Sequence, residues 1–329
     1  AAGQSAVAAA PRASPPEAIG QPGAQTQPRA AELELELLRD RAAYAALDRV
    51  RVRSLAEAAG RHWQEIFAAF DFLAVERFSA GGLTHWISTW RHGPTGLEFV
   101  LLPGGTFTQG STEKQGDLDH DERAHAVTLA PFLIARTECS QRAWSKLAEA
   151  AKLALAPACA QGEQLPIENV SALDVLTWCR QAGLSLPTEA QWEYACRAGT
   201  TSAFTCGDKP RQLEGFANLA DRSSDYDWKE AWDDSFAGTA PVGSLAANAF
   251  GLFDVHGNVW EWCRDDYLSY DSAVEEGSGA RDGESGLRAA RGGAFDGKAK
   301  HVRSAFRFGL GPQYSFCYLG FRPALDLPW

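Results

Sequence analysis

From Arg288 to Ala324 the chain reads RAARGGAFDGKAKHVRSAFRFGLGPQYSFCYLGFRPA, and this stretch holds most of the residues whose types suggest a site. Arg291, Gly292, Gly293, Arg303, Ser304, Ala305, Arg307, Leu319, Gly320, Phe321 and Arg322 make a frame. Between them stand Phe306, Phe308, Gly309, Leu310, Gly311, Gln313, Tyr314, Ser315, Phe316, Cys317 and Tyr318. These show neither a period of two nor one of 3.6, so they read as neither strand nor helix. They are too aromatic for an ordinary polar loop. Aromatic side chains mixed with glycine and serine are what recognition surfaces use. Tyr and Phe give large contact area at low rotamer cost, and small residues let the backbone adapt. The chemistry suggested is binding, through an exposed aromatic patch.

Other candidate residues carry less. His62 and His85 lack a second ligand one helical turn away, which a metal site on a helix would need. His120 stands between Asp119 and Asp121, but sequence neighbours rarely converge on one ion, and a solvated loop is the expectation. The seven cysteines are odd in number and include no CxxC pair. That argues against a zinc ribbon or a disulfide framework and for reduced, mostly buried thiols in a cytoplasmic protein. A formal charge of −11 argues against a nucleic-acid backbone or an anionic membrane as partner. No apolar run approaches the ~18 residues that cross a bilayer, and no secretory signal is visible in the chain given.

Three segments must position these residues. Residues 1–30 are Ala, Pro, Gln and Gly and read as a disordered tail. Residues 31–94 read as a helical extension. Leu33, Leu37, Tyr44, Leu47 and Val50 form one apolar stripe; Trp63, Ile66, Phe67 and Phe70 form a second within Leu55 to Phe72. This extension either packs on its own domain or serves as a partner-binding or oligomerising arm. Residues 95–326 read as the main domain. Its first strands flank a Gly104-Gly105 turn, and His125 to Leu129 is another. Helices follow from Thr137, from Ser171 with Leu173, Leu176 and Trp178 inward, and from Thr188, whose pairing with Gln191 makes a capping box. After Gly199 the chain is short segments rich in Gly, Asp and Trp. The fold class is α+β and loop-rich, with 45% hydrophobic residues to supply a core.

LPTEAQWEYACRAGT, GTAPVG, GLFDVHGNVWEW, RGGAF, RSAFR and LGFRPA, in this order and spacing, resemble the formylglycine-generating-enzyme (sulfatase-modifying-factor) domain. The resemblance covers about residues 95 to 325 and implies a variant of the C-type lectin fold. Family enzymes bind copper through two cysteines five apart. The matching positions here are Ala299 and Ser304, and a serine hydroxyl cannot replace a thiolate on copper(I). The resemblance therefore implies no catalytic residues and no copper. It also implies two structural calcium sites of hard oxygen ligands. Asn218 and Asp234 with the Leu219 and Phe236 carbonyls would form one, and Asn258 and Glu261 with the Val259 carbonyl the other.

Within that family the final loop is similar to the variable proteins of diversity-generating retroelements, with 288–324 as the variable region. In these a reverse transcriptase rewrites template adenines, so that an AAC codon becomes many others. Asp296, Gly297, His301, Phe306, Phe308, Gly309, Leu310, Gly311, Tyr314, Phe316, Cys317 and Tyr318 are all reachable from AAC. Lys298, Lys300 and Gln313 need other template codons. The resemblance implies a non-catalytic protein displaying a hypervariable surface to a protein or other macromolecular ligand. A copper oxidase, an iron sulfoxide synthase and a plain structural module are the competing expectations.

Overall fold

The structure, a computed structural model, describes residues 34–111, 121–154 and 158–328. The 1–30 segment, Asp119 and His120 lie outside the described residues. The N-terminal part opens with α1 (Arg41–Ala45), α2 (Arg49–His62) and α3 (Gln64–Phe67). Asp48 caps α2 by accepting from the Arg51 amide, which satisfies one of the helix's orphan donors. Val52, Leu55, Ala56 and Ala59 are buried, whereas Val50 is exposed. These helices belong to the main core. Tyr44 donates its hydroxyl to Trp86 O at 3.0 Å, and Trp63 Nε1 donates to Pro328 O at 2.7 Å, near the other end of the chain. Of the apolar stripe, Leu37, Tyr44 and Leu47 pack on the chain's own core, while Val50 is exposed.

The helical reading of 31–94 holds as far as Phe67 and fails beyond it. Residues 70–92 form a hairpin, β1 (Phe70–Ala80) and β2 (Leu83–His92), turning at Gly81-Gly82, both with positive φ. The run Leu83 to Trp90 is rich in β-branched and aromatic residues that suit a pleated surface. Strand pairing continues across residue 95. β2 pairs antiparallel with β3 (Glu98–Leu102), with Trp90 opposite Phe99. β6 (Phe132–Ala135) and β11 (Ala324–Asp326) complete a five-stranded sheet of order β1-β2-β3-β6-β11. The Gly104-Gly105 turn joins two sheets rather than a hairpin. β4 (Gly105–Gln109) pairs with β5 (His125–Leu129), and a side chain on Gly104 would meet Leu129 O at 2.2 Å.

Three helices follow: α4 (Gln141–Ala148), α5 (Ala172–Ala182) and α6 (Glu189–Arg197). Thr188 with Gln191 forms the capping box expected from the sequence, and Ser171, expected as an N-cap, forms a second with Asp174. Helix α5 turns Val175, Trp178 and Cys179 inward, while Leu173 faces solvent. A smaller sheet carries the C-terminal region: β7 (Trp260–Asp266), β8 (Arg288–Arg291), β9 (Phe308–Leu310) and β10 (Leu319–Gly320), in the order β10-β7-β8-β9. The architecture is mixed α+β and loop-rich. Among the described residues no helix is long and apolar enough to cross a membrane.

Candidate ligand-binding face

Four buried arginines hold the C-terminal region in place. Arg307 grips Glu189 of α6 with two bonds of 2.6 and 2.7 Å, and Arg322 grips Glu261 of β7 with two of 2.7 Å. Arg303 makes a third fork to Glu122 at 2.6 and 2.8 Å. Arg291 reaches Glu193, one helical turn beyond Glu189. Such forks are the strong form of charge-assisted hydrogen bond. Burial alone would raise the Glu189 carboxyl, but the guanidinium of Arg307, helped by Arg291 and Arg281, offsets this and holds it below the usual range. Glu189 and Glu193 lie on one face of α6 because they are four residues apart.

The backbone between these arginines is held by donors from the frame and the surrounding scaffold. Arg291 donates to Phe306 O, and Arg303 Nε donates to Lys300 O at 3.0 Å. The amides of Trp260, Asn169 and Ala220 donate to the carbonyls of Tyr318, Phe316 and Gly297 at 2.8, 2.9 and 3.1 Å. Trp228 Nε1 donates to Asp296 O at 3.1 Å. None of these bonds uses a side chain of the intervening residues. The main-chain path is therefore fixed largely without reference to which side chains it carries.

Those side chains lie at or near the surface, with Phe306, Leu310, Phe316 and Tyr318 packed one side against the core. Lys298, Lys300, Phe308, Gln313, Tyr314 and Cys317 are exposed; Asp296, Gly297, His301, Phe306, Gly309, Leu310, Phe316 and Tyr318 are half-buried. Gly311 is buried, unlike the rest of the sequence-derived set. Gly309 has room only if Tyr267 shifts, since an added Cβ would lie 2.6 Å from its ring. Two clusters result. Asp296, Gly297, Lys298, His301, Phe306, Phe308 and Tyr318 line a cleft of about 440 Å³, together with Trp228 and Trp260. Beside it Tyr314, Phe316 and Tyr318 form a stacked ladder, with ring centroids 6.0 and 5.2 Å apart. Trp228 and Trp260 were not among the sequence candidates. Their signal was present in the Trp content but lay outside the unusual loop.

Cys317 overturns the reduced-thiol expectation. It is disulfide-bonded to Cys159, 158 residues earlier in the chain, with the two Cα atoms 5.6 Å apart. An odd count without CxxC spacing cannot reveal a pair so distant. The other five cysteines are free, and four of them are buried.

At the copper positions of the resemblance, Ala299 and Ser304 are both buried. Ser304 Oγ lies 3.5 Å from Cys196 Sγ, and burial pushes that thiol up to about 12. No thiolate pair is available there. At the first calcium set, Asn218 Oδ1 is buried without a hydrogen-bond partner. The Asp234 carboxyl is raised to about 6 by burial and then by neighbouring Asp221, and it accepts from the Leu219 and Phe236 amides. An unpartnered amide oxygen and a carboxylate raised by its carboxylate neighbour are donors of the kind a hard cation takes. The second set is already committed. Asn258 Oδ1 accepts from Asn218 and Ala240, and its Nδ2 donates to Glu138. Both Glu261 oxygens accept from Arg322, and one also accepts from Trp192. Arg322 thus supplies Glu261 with a countercharge and occupies both of its oxygens.

The sulfatase-modifying factor enzyme 1-like domain matches residues 89–327. Mouse formylglycine-generating enzyme is 36% identical over 167 residues, covering 49% of this chain and 44% of its own length. The chain spans less than half the length of the first curated relatives it matches. Among solved structures, PvdO from Pseudomonas aeruginosa superposes with a TM-score of 0.63 at 27% identity, covering 73% of this chain and 98% of that one. Treponema denticola variable protein 1 superposes with a TM-score of 0.59 at 20% identity, covering 71% and 97%, a likeness of fold.

Proposed function

The chain belongs to the sulfatase-modifying factor enzyme 1-like domain family, and we propose that it is a non-catalytic member that binds a macromolecular ligand through the face between its buried arginines. One observation carries this reading. Scaffold donors hold the backbone carbonyls at Asp296, Gly297, Lys300, Phe306, Phe316 and Tyr318, while no side chain at these positions is fully buried, Phe306, Phe316 and Tyr318 resting one side on the core and showing the other to solvent. That is the arrangement a diversified recognition surface requires: recognition residues change while the loop keeps its path. The ligand is a protein or comparable macromolecule, met by the aromatic ladder and the cleft. Calcium at Asn218 and Asp234 has a structural role behind the face, giving the unpartnered Asn218 Oδ1 a ligand and the Asp234 carboxylate a countercharge.

The Cys159–Cys317 disulfide fits an oxidising compartment better than the cytoplasm expected from the thiol count. A second reading is favoured by the curated relatives: a copper oxidase making formylglycine. Ala299 and Ser304 speak against it, since neither supplies a thiolate.

The test is a display library of peptides panned on the intact protein. Enriched ligands should lose at least about tenfold in affinity for Phe308→Ala or Tyr314→Ala protein of unchanged melting temperature. Ligands indifferent to both substitutions would contradict the reading. So would formylglycine formed in a Cys-Thr-Pro-Ser-Arg peptide incubated with copper and the protein. In the genome, an adenine-rich near-copy of the 3′ end beside a reverse transcriptase gene would support diversification.

A further inference from the structure

Two of the nine residues that line the cleft, Trp228 and Trp260, lie outside 288–324. Trp228 is 47% exposed, yet it is fixed in place: its indole N–H donates to Asp296 O at 3.1 Å, and its ring stacks on Tyr226 at 5.0 Å. Trp260 packs against Phe308 and Phe306 at 5.3 and 5.9 Å. The faces of such rings carry negative potential and attract cations. This cleft already shows that preference, for the Lys298 ammonium stands 5.6 Å from the Trp228 ring centroid.

Asp296 adds a charge of the same sense. Its carboxyl is half-buried in the cleft and makes no ion pair among the described residues. Burial raises it, and after burial its charge is what raises the phenols of Tyr226 and Tyr318. A poorly solvated carboxylate among aromatic rings is a place where an incoming cation is stabilised twice: by the carboxylate and by the rings.

We infer that the cleft is a binding site for an alkylammonium cation, presented by the macromolecular ligand, and that Lys298 holds the same ring face until that cation displaces it. This rests on the reading of the face as a ligand site and names the ligand's chemistry. It also divides the labour. Tyr226, Trp228 and Trp260 are a fixed aromatic wall, while Asp296 and Lys298, inside the diversified stretch, set the charge that a given version prefers.

The experiment titrates the full chain with choline, with Nα-acetyl-lysine amide, and with 3,3-dimethyl-1-butanol, the uncharged isostere of choline, following tryptophan fluorescence. At least one cation should bind about fivefold or more tightly than the neutral isostere, and the tighter of the two identifies the source. Trp228→Ala and Asp296→Asn should each weaken the cation by about fivefold, and Lys298→Ala should strengthen it by about threefold. Equal binding of the isostere, no binding of either cation, or loss of binding in Lys298→Ala would overturn the inference. Panned ligands that still bind Asp296→Asn protein in that case would leave the broader face intact, so the two failures are distinguishable.

Discussion

The arginine frame and the face it encloses alternate along the same thirty residues, yet they are built on opposite rules. In the frame every side chain has a set partner: Arg307 with Glu189, Arg322 with Glu261, Arg303 with Glu122, Arg291 with Glu193. In the face the main chain is held and the side chains mostly meet each other or water. The frame therefore tolerates almost no substitution, because removing one partner leaves a buried charge alone. The face tolerates many, because few of its side chains close the core.

That contrast can be broken most severely at the frame. Arg307→Ala removes the fork on Glu189 and leaves it, in a dry interior, the longer 3.6 Å contact to Arg291; a loss of about 3 kcal/mol is expected in denaturant unfolding. The pair also sets an acid limit. Glu189 is held below its ordinary value of 4.5 in the folded protein, so it binds fewer protons there than in the unfolded chain near that pH. Its contribution is present above about pH 4.5 and is lost as pH falls through the lower folded value. The gap between wild type and Arg307→Ala should accordingly narrow in melts taken at pH 3.

Next in size is the tie between the two regions. Cys159→Ser releases a closure of long loop span, and about 2–4 kcal/mol should be lost. Alkylation of unfolded, unreduced protein followed by mass measurement should count five free thiols; seven would contradict the disulfide. Smaller is the effect expected of the proposed calcium behind the face. Calcium should raise the melting temperature at pH 7 by a few degrees and a chelator should remove the gain, both effects vanishing in Asp234→Asn. Smallest is Tyr314→Ala, an exposed ring whose removal should change stability by less than about 0.5 kcal/mol while reducing ligand affinity.

Legibility followed the range of the interactions. The helix caps at Ser171 and Thr188 are local and stood in the sequence, as did the spacing of the four arginines. Their carboxylate partners did not, since Glu122 and Glu189 lie more than a hundred residues from Arg303 and Arg307. Leu173 was misread because an apolar residue in the first turn of an amphipathic helix can fall on either face. The hairpin after Phe67 was hidden because Trp63, Ile66, Phe67 and Phe70 keep a helical spacing across the real boundary. The aromatic face was visible as a run without a period. What held it there was not, because backbone carbonyls leave no mark on side-chain identity. Trp228 and Trp260 were missed for a related reason: nothing local distinguishes a tryptophan that lines a cleft from one that fills a core.

The central claim is that the frame specifies the fold and the face specifies the ligand. Two libraries test it directly, one randomising Lys298, Phe308, Gln313, Tyr314 and Tyr318, the other Arg291, Arg303, Arg307 and Arg322, each scored for protease resistance and for binding to the panned ligands. Most of the first library should stay folded with altered ligand preference, and almost none of the second should fold. A first library that unfolds as often as the second, or one that folds with its ligand preference unchanged, would contradict the account.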